Sequence, residues 1–551
     1  LSKEIREFLV ENVMHTGGHL ASNLGVVELT LALAKVFDFP KDKLVFDVGH
    51  QSYVHKLITG RRDRFDELRR GGGLSGFPKR SESEHDCFGA GHSSTSISAA
   101  AGIAAANRIC GNQDYTVAVV GDGAFTGGMV HEALNNCKRN IRLTIILNEN
   151  EMSISKNIGR FATHMARLRR KSGYFKTKKG ISRFIKRIPL IGGGLFRAIR
   201  DTKKAFKNAM YGSNYFEDLG LYYLGPADGN DYEAVEALLT EAKKQSDNVV
   251  IHLKTRKGKG YAPAEAEPGR YHGMPPAGTV AKENFSHRLG EILIRESAKD
   301  DRICAITAAM SEGTGLESFR EACPHRFFDV GIAEEHALTF AAGLAADGYK
   351  PVTAIYSSFL QRSYDQIIHD VALQNLPVTF CLDRGGLVGE DGATHHGCYD
   401  MAVYRTIPGA VIAVPKDEIE LKDMMYSAMK AQTGPYIIRY PRGNGEGVDW
   451  RGHAYAQMET GRGELLLEGS DLAVICAGPF ANRAVEAAMR IRDDKGWNPS
   501  VYNIRYIKPL DTELLEEASA SHSKFVTVED GSVLGGLHAA VAEFLSAGRD
   551  R

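Results

Sequence analysis

Asp122 stands between two glycines directly after the β-branched run TVAVV, and Asn150 closes a second such run, LTIILNEN. A carboxylate and a carboxamide at two neighbouring strand tips offer the hard oxygen ligands that Mg²⁺ takes, and Mg²⁺ leaves its other positions to phosphate and water. Gly121 and Gly123 permit close backbone approach, and a helix opening after the turn would aim free N–H groups at a diphosphate. The pair therefore reads as a cradle for metal plus diphosphate. An Asp-Gly turn after a strand also arises for conformational reasons alone, so the reading leans on the second, Asn-bearing strand.

Glu334, in AEEH, opens an Ala/Gly-rich helical stretch after RFFDVG. An acid there can serve the helix dipole or act as a general acid-base, and the residues alone leave both open. Five histidines, His19, His50, His92, His272 and His395, sit in loop sequence rich in Gly, Ser or Asp. One such histidine is ordinarily structural. Five suit a carbonyl substrate whose oxygens gain and lose protons.

These residues need a scaffold that gathers strand ends. The runs TVAVVGDG, LTIILNEN, NVVIHLKT, ICAITAAM, PVTAIYSSF, VTFCLDRGG, YIIRYPRGNG, LAVICAGP and FVTVEDG each stop at polar or Gly-rich positions and alternate with helix-like stretches. That alternation predicts an α/β protein with mainly parallel sheets, whose ligands collect at the carboxyl ends of strands. Pro/Gly/charge-rich stretches near 280 and from Arg442 divide the chain into three αβ domains, 1–280, 281–445 and 446–551. No internal repeat is visible. The stretch of about 160–210 is basic with interleaved apolar residues and reads as a solvated helical excursion; attachment to a polyanion or membrane surface is the other reading.

Composition narrows the classes. The 551 residues suffice for about three domains at roughly 100–200 residues each. The formal net charge is zero, which argues against a general nucleic-acid binder and for a small-molecule partner. Eight scattered cysteines form no C-x-x-C pair, and no apolar run is long enough to span a bilayer, so a reducing cytoplasm is expected, with no membrane. The chain opens on Leu1 and closes without an obvious final element, so both ends, and the last domain with them, read as trimmed.

GDG followed by NEN resembles the thiamine-diphosphate motif of the transketolase superfamily. Further strings narrow the resemblance: GGHLASNLG, FDVGHQSYVHKLITGRRDRF, GHSSTSISAAAGIA, GDGAFTGGMVHEALNN, IAEEHALTFAAGLA, IYSSFLQRSYDQIIHDVALQNLPV, DRGGLVGEDGATHHG and RYPRGNG are similar to those of the 1-deoxy-D-xylulose-5-phosphate synthases. Membership would imply a transketolase-like fold, thiamine diphosphate and Mg²⁺ as cofactors, pyruvate and D-glyceraldehyde 3-phosphate as substrates, and a homodimer. It would place Asp122, Asn150 and the Met152 carbonyl on the metal. His50, Gly91, His92, Ser93, Asp122, Gly123, Ala124, Asn150, Tyr261 and Glu334 would lie on the cofactor, with Glu334 as the activating acid. His19, Asp391 and His395 would fall on the reacting carbons, with His50 and His272 beside them in the catalytic set. Tyr356, Arg362, Arg384 and Arg442 would line the acceptor pocket, where arginine suits a dianionic phosphate. Asn23, where the family often has Gly, and AEEH in place of AEQH are small departures. A transketolase proper, or the first component of a 2-oxo-acid dehydrogenase, shares GDG and the activating Glu and is the alternative; a thiamine-binding scaffold without activity is a third.

Overall fold

The structure is a computed structural model, described for residues 1–139, 141–150, 215–279, 284–431 and 433–547. The basic stretch at 160–210 and Met152 lie outside the described residues. The chain divides into two compact units, Leu1–Thr279 and Val280–Arg551.

The first unit is built on a five-stranded, wholly parallel sheet. Its order is β1 (Lys43–Phe46), β2 (Thr116–Gly121), β3 (Leu143–Glu149), β5 (Val249–Lys254) and β4 (Tyr222–Asp228). Because side chains alternate along a strand, Ala118, Val120, Ile145 and Leu147 enter one core, while Val117, Val119, Ile146 and Ile251 enter the other. Both faces are covered, so the strands read as continuous apolar runs rather than alternating ones. Each fully buried aliphatic side chain contributes roughly 1.5–3 kcal/mol. In register, Gly121 lies beside Asn148, which brings the tips of β2 and β3 together.

The second unit holds two sheets. The larger runs β15 (Tyr506–Lys508), β10 (Val411–Ala413), β11 (Tyr436–Pro441), β9 (Thr379–Gly385), β8 (Lys350–Tyr356), β6 (Ile303–Thr307) and β7 (Phe327–Asp329), parallel except where β15 meets β10. Phe380 and Leu382 of β9 face one core and Cys381 the other. The smaller sheet runs β12 (Glu464–Leu467), β14 (Pro499–Asn503), β13 (Leu472–Cys476) and β16 (Phe525–Val528), with β12 antiparallel. β15 leaves the C-terminal segment to complete the edge of the larger sheet. Every apolar run picked out in the sequence is a strand, and the α/β architecture with mainly parallel sheets is as expected.

Candidate active site

In the first unit, Asp122 follows β2 and Asn150 follows β3, and the backbone N–H of Asn150 donates to Asp122 Oδ2 at 3.3 Å. The Gly123 N–H donates to Oδ1 at 3.1 Å. The Asp122 side chain is thus aimed and buried at the strand tips. Among the described residues no cluster of three or more His, Cys, Asp or Glu is arranged to hold a metal, so a cation here would rest on a mixed set of carboxylate, carboxamide and carbonyl oxygens.

Beside this turn lies the loop carrying Gly91, His92 and Ser93. Asp47, one residue beyond β1, accepts from the N–H groups of Ser94 at 2.8 Å and Ser96 at 3.1 Å, fixing the start of the helix Ser96–Ile109. Ser94 Oγ donates to the carbonyl of Ala124 at 3.0 Å. Ser94 adopts a positive φ of 69°, a conformation an L-residue holds only when its surroundings insist. The His92–Ser93 loop and the Gly123–Ala124 turn are therefore one joined surface of backbone.

Three expected histidines converge. The ring centroids of His19, His50 and His272 are 5.5, 5.8 and 5.1 Å apart pairwise. His19 Nδ1 shares a hydrogen bond of 3.3 Å with the Tyr53 hydroxyl. Burial, assisted by the neighbouring imidazoles and by Lys257, holds the pKa of His50 and of His272 well below the usual histidine value, so both are uncharged near neutral pH. Their loops are braced by Asn23. Its amide donates to the carbonyls of His19 at 2.6 Å and His50 at 2.8 Å, and its oxygen accepts from the Tyr53 N–H at 2.8 Å. What reads in the sequence as a departure from glycine is a fully buried tie between two histidine loops.

Lys257, which sequence reasoning passed over, is also here. Burial pushes its pKa down to about 8, and the attraction of Asp122 opposes that shift. Its only sequence signal is the KGKG loop after β5. Tyr261 caps the helix Ala262–Ala266, with its ring edge-on to Tyr271 at 5.8 Å. Below the His50 loop, a buried ionic network joins Lys56 to Glu82 at 2.5 Å and Arg61 to Asp86 at 2.7 Å, with His55 3.3 Å from Asp86. It secures the segment leading to Gly91.

In the second unit, Glu334 is the first residue of the helix Glu334–Ala346 and is 2% exposed. Burial raises its pKa, and Arg362 opposes the shift. Arg362 Nη1 lies 3.6 Å from Glu334 Oε2, so an arginine expected in the acceptor pocket has as its neighbour the carboxylate expected to be the activating acid. The other residues expected to line the acceptor pocket fall into two sets of contacts. The Arg384 guanidinium lies over the Tyr356 ring at 3.9 Å, Tyr356 stacks on Phe359 at 5.5 Å, and Phe359 meets His395 at 5.3 Å. Arg442 reaches the Val388 carbonyl at 2.8 Å, Asp391 at 3.2 Å and Glu390 at 2.7 Å. Arg384 is held by Asp383 at 2.7 Å and by the Gly313 carbonyl, also at 2.7 Å.

Three buried atoms, His50 Nδ1 and His272 Nδ1 in the first unit and Glu334 Oε2 in the second, have no hydrogen-bond partner among the described residues. Leaving such an atom unsatisfied costs about 1–3 kcal/mol, so each has hydrogen-bonding capacity that a ligand could meet. Glu334 Oε2 fits a ring nitrogen of a cofactor, and the Asp122–Asn150 tip with its N–H-rich turns fits a metal-bound diphosphate.

A family model described as 1-deoxy-D-xylulose-5-phosphate synthase matches residues 1–255, the transketolase pyrimidine-binding domain matches 282–447, and the transketolase C-terminal domain matches 461–549. The chain is similar to the 1-deoxy-D-xylulose-5-phosphate synthase of Syntrophomonas wolfei subsp. wolfei, with 48% identity across 99% of this chain and 86% of that one. The synthase of Caldanaerobacter subterraneus subsp. tengcongensis is 49% identical, across 99% and 88%. That of Clostridium perfringens is 48% identical, across 99% and 89%. Similarity of this extent, carried by three consecutive domain matches, means that the chain belongs to the 1-deoxy-D-xylulose-5-phosphate synthase family and has its transketolase-like fold.

Proposed function

We propose that this chain condenses pyruvate with D-glyceraldehyde 3-phosphate, releasing carbon dioxide, to give 1-deoxy-D-xylulose 5-phosphate for isoprenoid, thiamine and pyridoxal synthesis. The observation that carries the reading is 48% identity over 99% of the chain to a relative named for this product. When bound, thiamine diphosphate supplies a carbanion nucleophile and an electron sink for decarboxylation.

The chain's own residues take the remaining roles. Asp122 and Asn150 would hold Mg²⁺ through side-chain oxygens, joined by the Met152 carbonyl. Gly91, His92, Ser93, Gly123, Ala124 and Tyr261 would line the cofactor. Glu334 holds a proton at its buried carboxyl for the cofactor's pyrimidine, and burial, which raises its pKa, favours the protonated form. His50 and His272, kept neutral, hydrogen-bond without adding charge. His19, Asp391 and His395 move protons on donor and acceptor oxygens. Arg384, which lies over Tyr356, and Arg442 hold the acceptor phosphate. Arg362 tempers the charge of Glu334.

Mg²⁺, a homodimer, a cytoplasmic location and division into three domains belong to the same reading. Eight free cysteines suit a reducing compartment, and two separate sheets in residues 280–551 support the domain division. No described helix is long and apolar enough to cross a membrane.

The test is pyruvate consumption with and without D-glyceraldehyde 3-phosphate, in thiamine diphosphate and Mg²⁺, with mass spectrometry of the sugar phosphate. Acceptor-dependent carbon dioxide release with a five-carbon deoxyketose phosphate is expected. Transfer of a two-carbon ketol unit from xylulose 5-phosphate instead would move the assignment to transketolase.

A further inference from the structure

The loop that carries Asp391 and His395 leaves the end of β9 and returns through a closed neck. Gly386 N–H donates to the Gly397 carbonyl at 2.9 Å, and Gly397 N–H donates back at 2.8 Å. Under this neck lies Arg439 of β11, whose side chain is almost wholly buried. Its Nε donates to Asp400 Oδ2 at 2.9 Å, its Nη1 pairs with Asp530 Oδ1 at 2.8 Å, and its Nη2 reaches the Gly397 carbonyl at 3.4 Å.

Glycine is required where the loop enters the neck. A Cβ on Gly385 would meet Arg439 Nε at 2.8 Å, and one on Gly386, whose φ is +75°, would strike the Asp530 carboxylate. Asp530 comes from the turn after β16, far along the chain, and the same turn returns to the neck when Ser532 N–H donates to the Cys398 carbonyl at 2.7 Å. The preceding Glu529 acts elsewhere. Its carboxylate accepts from the N–H groups of Leu537 and His538, each at 2.9 Å, at the start of the helix Leu537–Ala547.

A buried guanidinium shared between two carboxylates is strongly directional, and removing one partner leaves the remaining groups free to shift. Nothing in the reaction requires Arg439, Asp400 or Asp530 to touch a substrate. Their geometry bears on the backbone at both ends of the loop.

We propose that Asp530, acting through Arg439, is a positioning residue that sets the acceptor loop and thereby the affinity for the aldehyde substrate. The proposal rests on the acceptor part of the roles given above to Asp391 and His395 and on the phosphate contact given to Arg442. Because a displaced loop misplaces groups that meet the second substrate, the loss falls on acceptor binding rather than on activation of pyruvate.

The experiment compares the full-length wild type with Asp530→Asn, Asp530→Ala and Glu529→Gln. It measures KM separately for D-glyceraldehyde 3-phosphate and pyruvate, thiamine diphosphate affinity by fluorescence quenching, and hydrogen exchange in peptides spanning 387–396. Asp530→Asn should raise the acceptor KM about tenfold, the size expected for one charge-assisted contact, with pyruvate KM and cofactor affinity unchanged and exchange in 387–396 faster. Glu529→Gln should lower the melting temperature and leave acceptor KM and loop exchange as in the wild type. If the Asp530 variants leave loop exchange unchanged, or raise both KM values together, the inference is overturned. Exchange is read without turnover, so a wild type that forms no deoxyketose phosphate while Asp530→Asn still loosens the loop would overturn the functional reading and leave the tie intact.

Discussion

Arg362 Nη1 stands 3.6 Å from Oε2 of Glu334, near enough to attract and too far to hydrogen-bond. The acid is therefore buried, with one oxygen unpartnered. Replacing it by Gln should lower kcat by about 10²–10⁴, the usual range for a lost acid-base group. Thiamine diphosphate and Mg²⁺ affinity, measured by fluorescence titration, should stay within a few-fold of wild type. Undiminished turnover would remove Glu334 from the mechanism.

The same carboxyl affects stability in a pH-dependent way. Burial raises its folded-state pKa above the ordinary 4.5, so its favourable contribution is complete below that value and is lost as pH rises through the folded pKa. Well above pH 4.5 the buried carboxyl costs stability that Gln would not. Glu334→Gln should therefore melt a few degrees above wild type at pH 8, with the gap narrowing toward pH 5. Scanning calorimetry across that range would reject this if the gap were independent of pH.

Asn23 satisfies three backbone groups from two histidine loops at once. Asn23→Ala removes all three bonds and leaves buried partners unmet, which should cost about 2–4 kcal/mol in urea unfolding of the first-unit transition. An unchanged midpoint would show that the loops hold without it.

Lys56 is fully buried and depends on Glu82 and Asp86 for its charge. Glu82→Ala strands that ammonium and should destabilise by about 3–5 kcal/mol, whereas the double change Lys56→Met with Glu82→Leu should recover much of the loss. A double-mutant cycle in denaturant measures the coupling, and simple additivity would contradict the network.

Arg384 lies over Tyr356, and both Arg384 and Arg442 already contact carboxylates. Arg442→Ala should raise KM for D-glyceraldehyde 3-phosphate by about 10–100-fold through loss of a charged phosphate contact. The value for pyruvate should not follow it.

Much of this arrangement could be read from residue order, because the signals were local. Asp122 and Asn150 each end an apolar strand, and parallel pairing of those strands brings the tips together whatever else the chain does. The histidine loops were visible by their glycines. Lys257 was not, since a lysine in KGKG reads as a solvated loop charge until β5 carries it toward Asp122. Asn23 acts through loops distant in sequence, and Arg362 meets Glu334 through the packing of a turn after β8 against a helix start. β15 is three residues long, and its partner β10 lies in another segment of the chain. Each of these depends on which surfaces meet, and periodicity carries no record of that.

The closed neck at Gly386 and Gly397 makes the loop between them a replaceable part. Its two ends are fixed to each other by backbone bonds and the Gly397 end to the sheet by Arg439, so a change inside the loop that keeps the contacts to Arg442 need not propagate into β9. Exchange of the whole segment 387–396 for that of a relative with another aldehyde preference should carry acceptor choice with it, while Glu334 and the His19–His50–His272 cluster stay untouched. Substrate range in such a scaffold can then diversify one cassette at a time, provided the two glycines and the guanidinium beneath them are left in place.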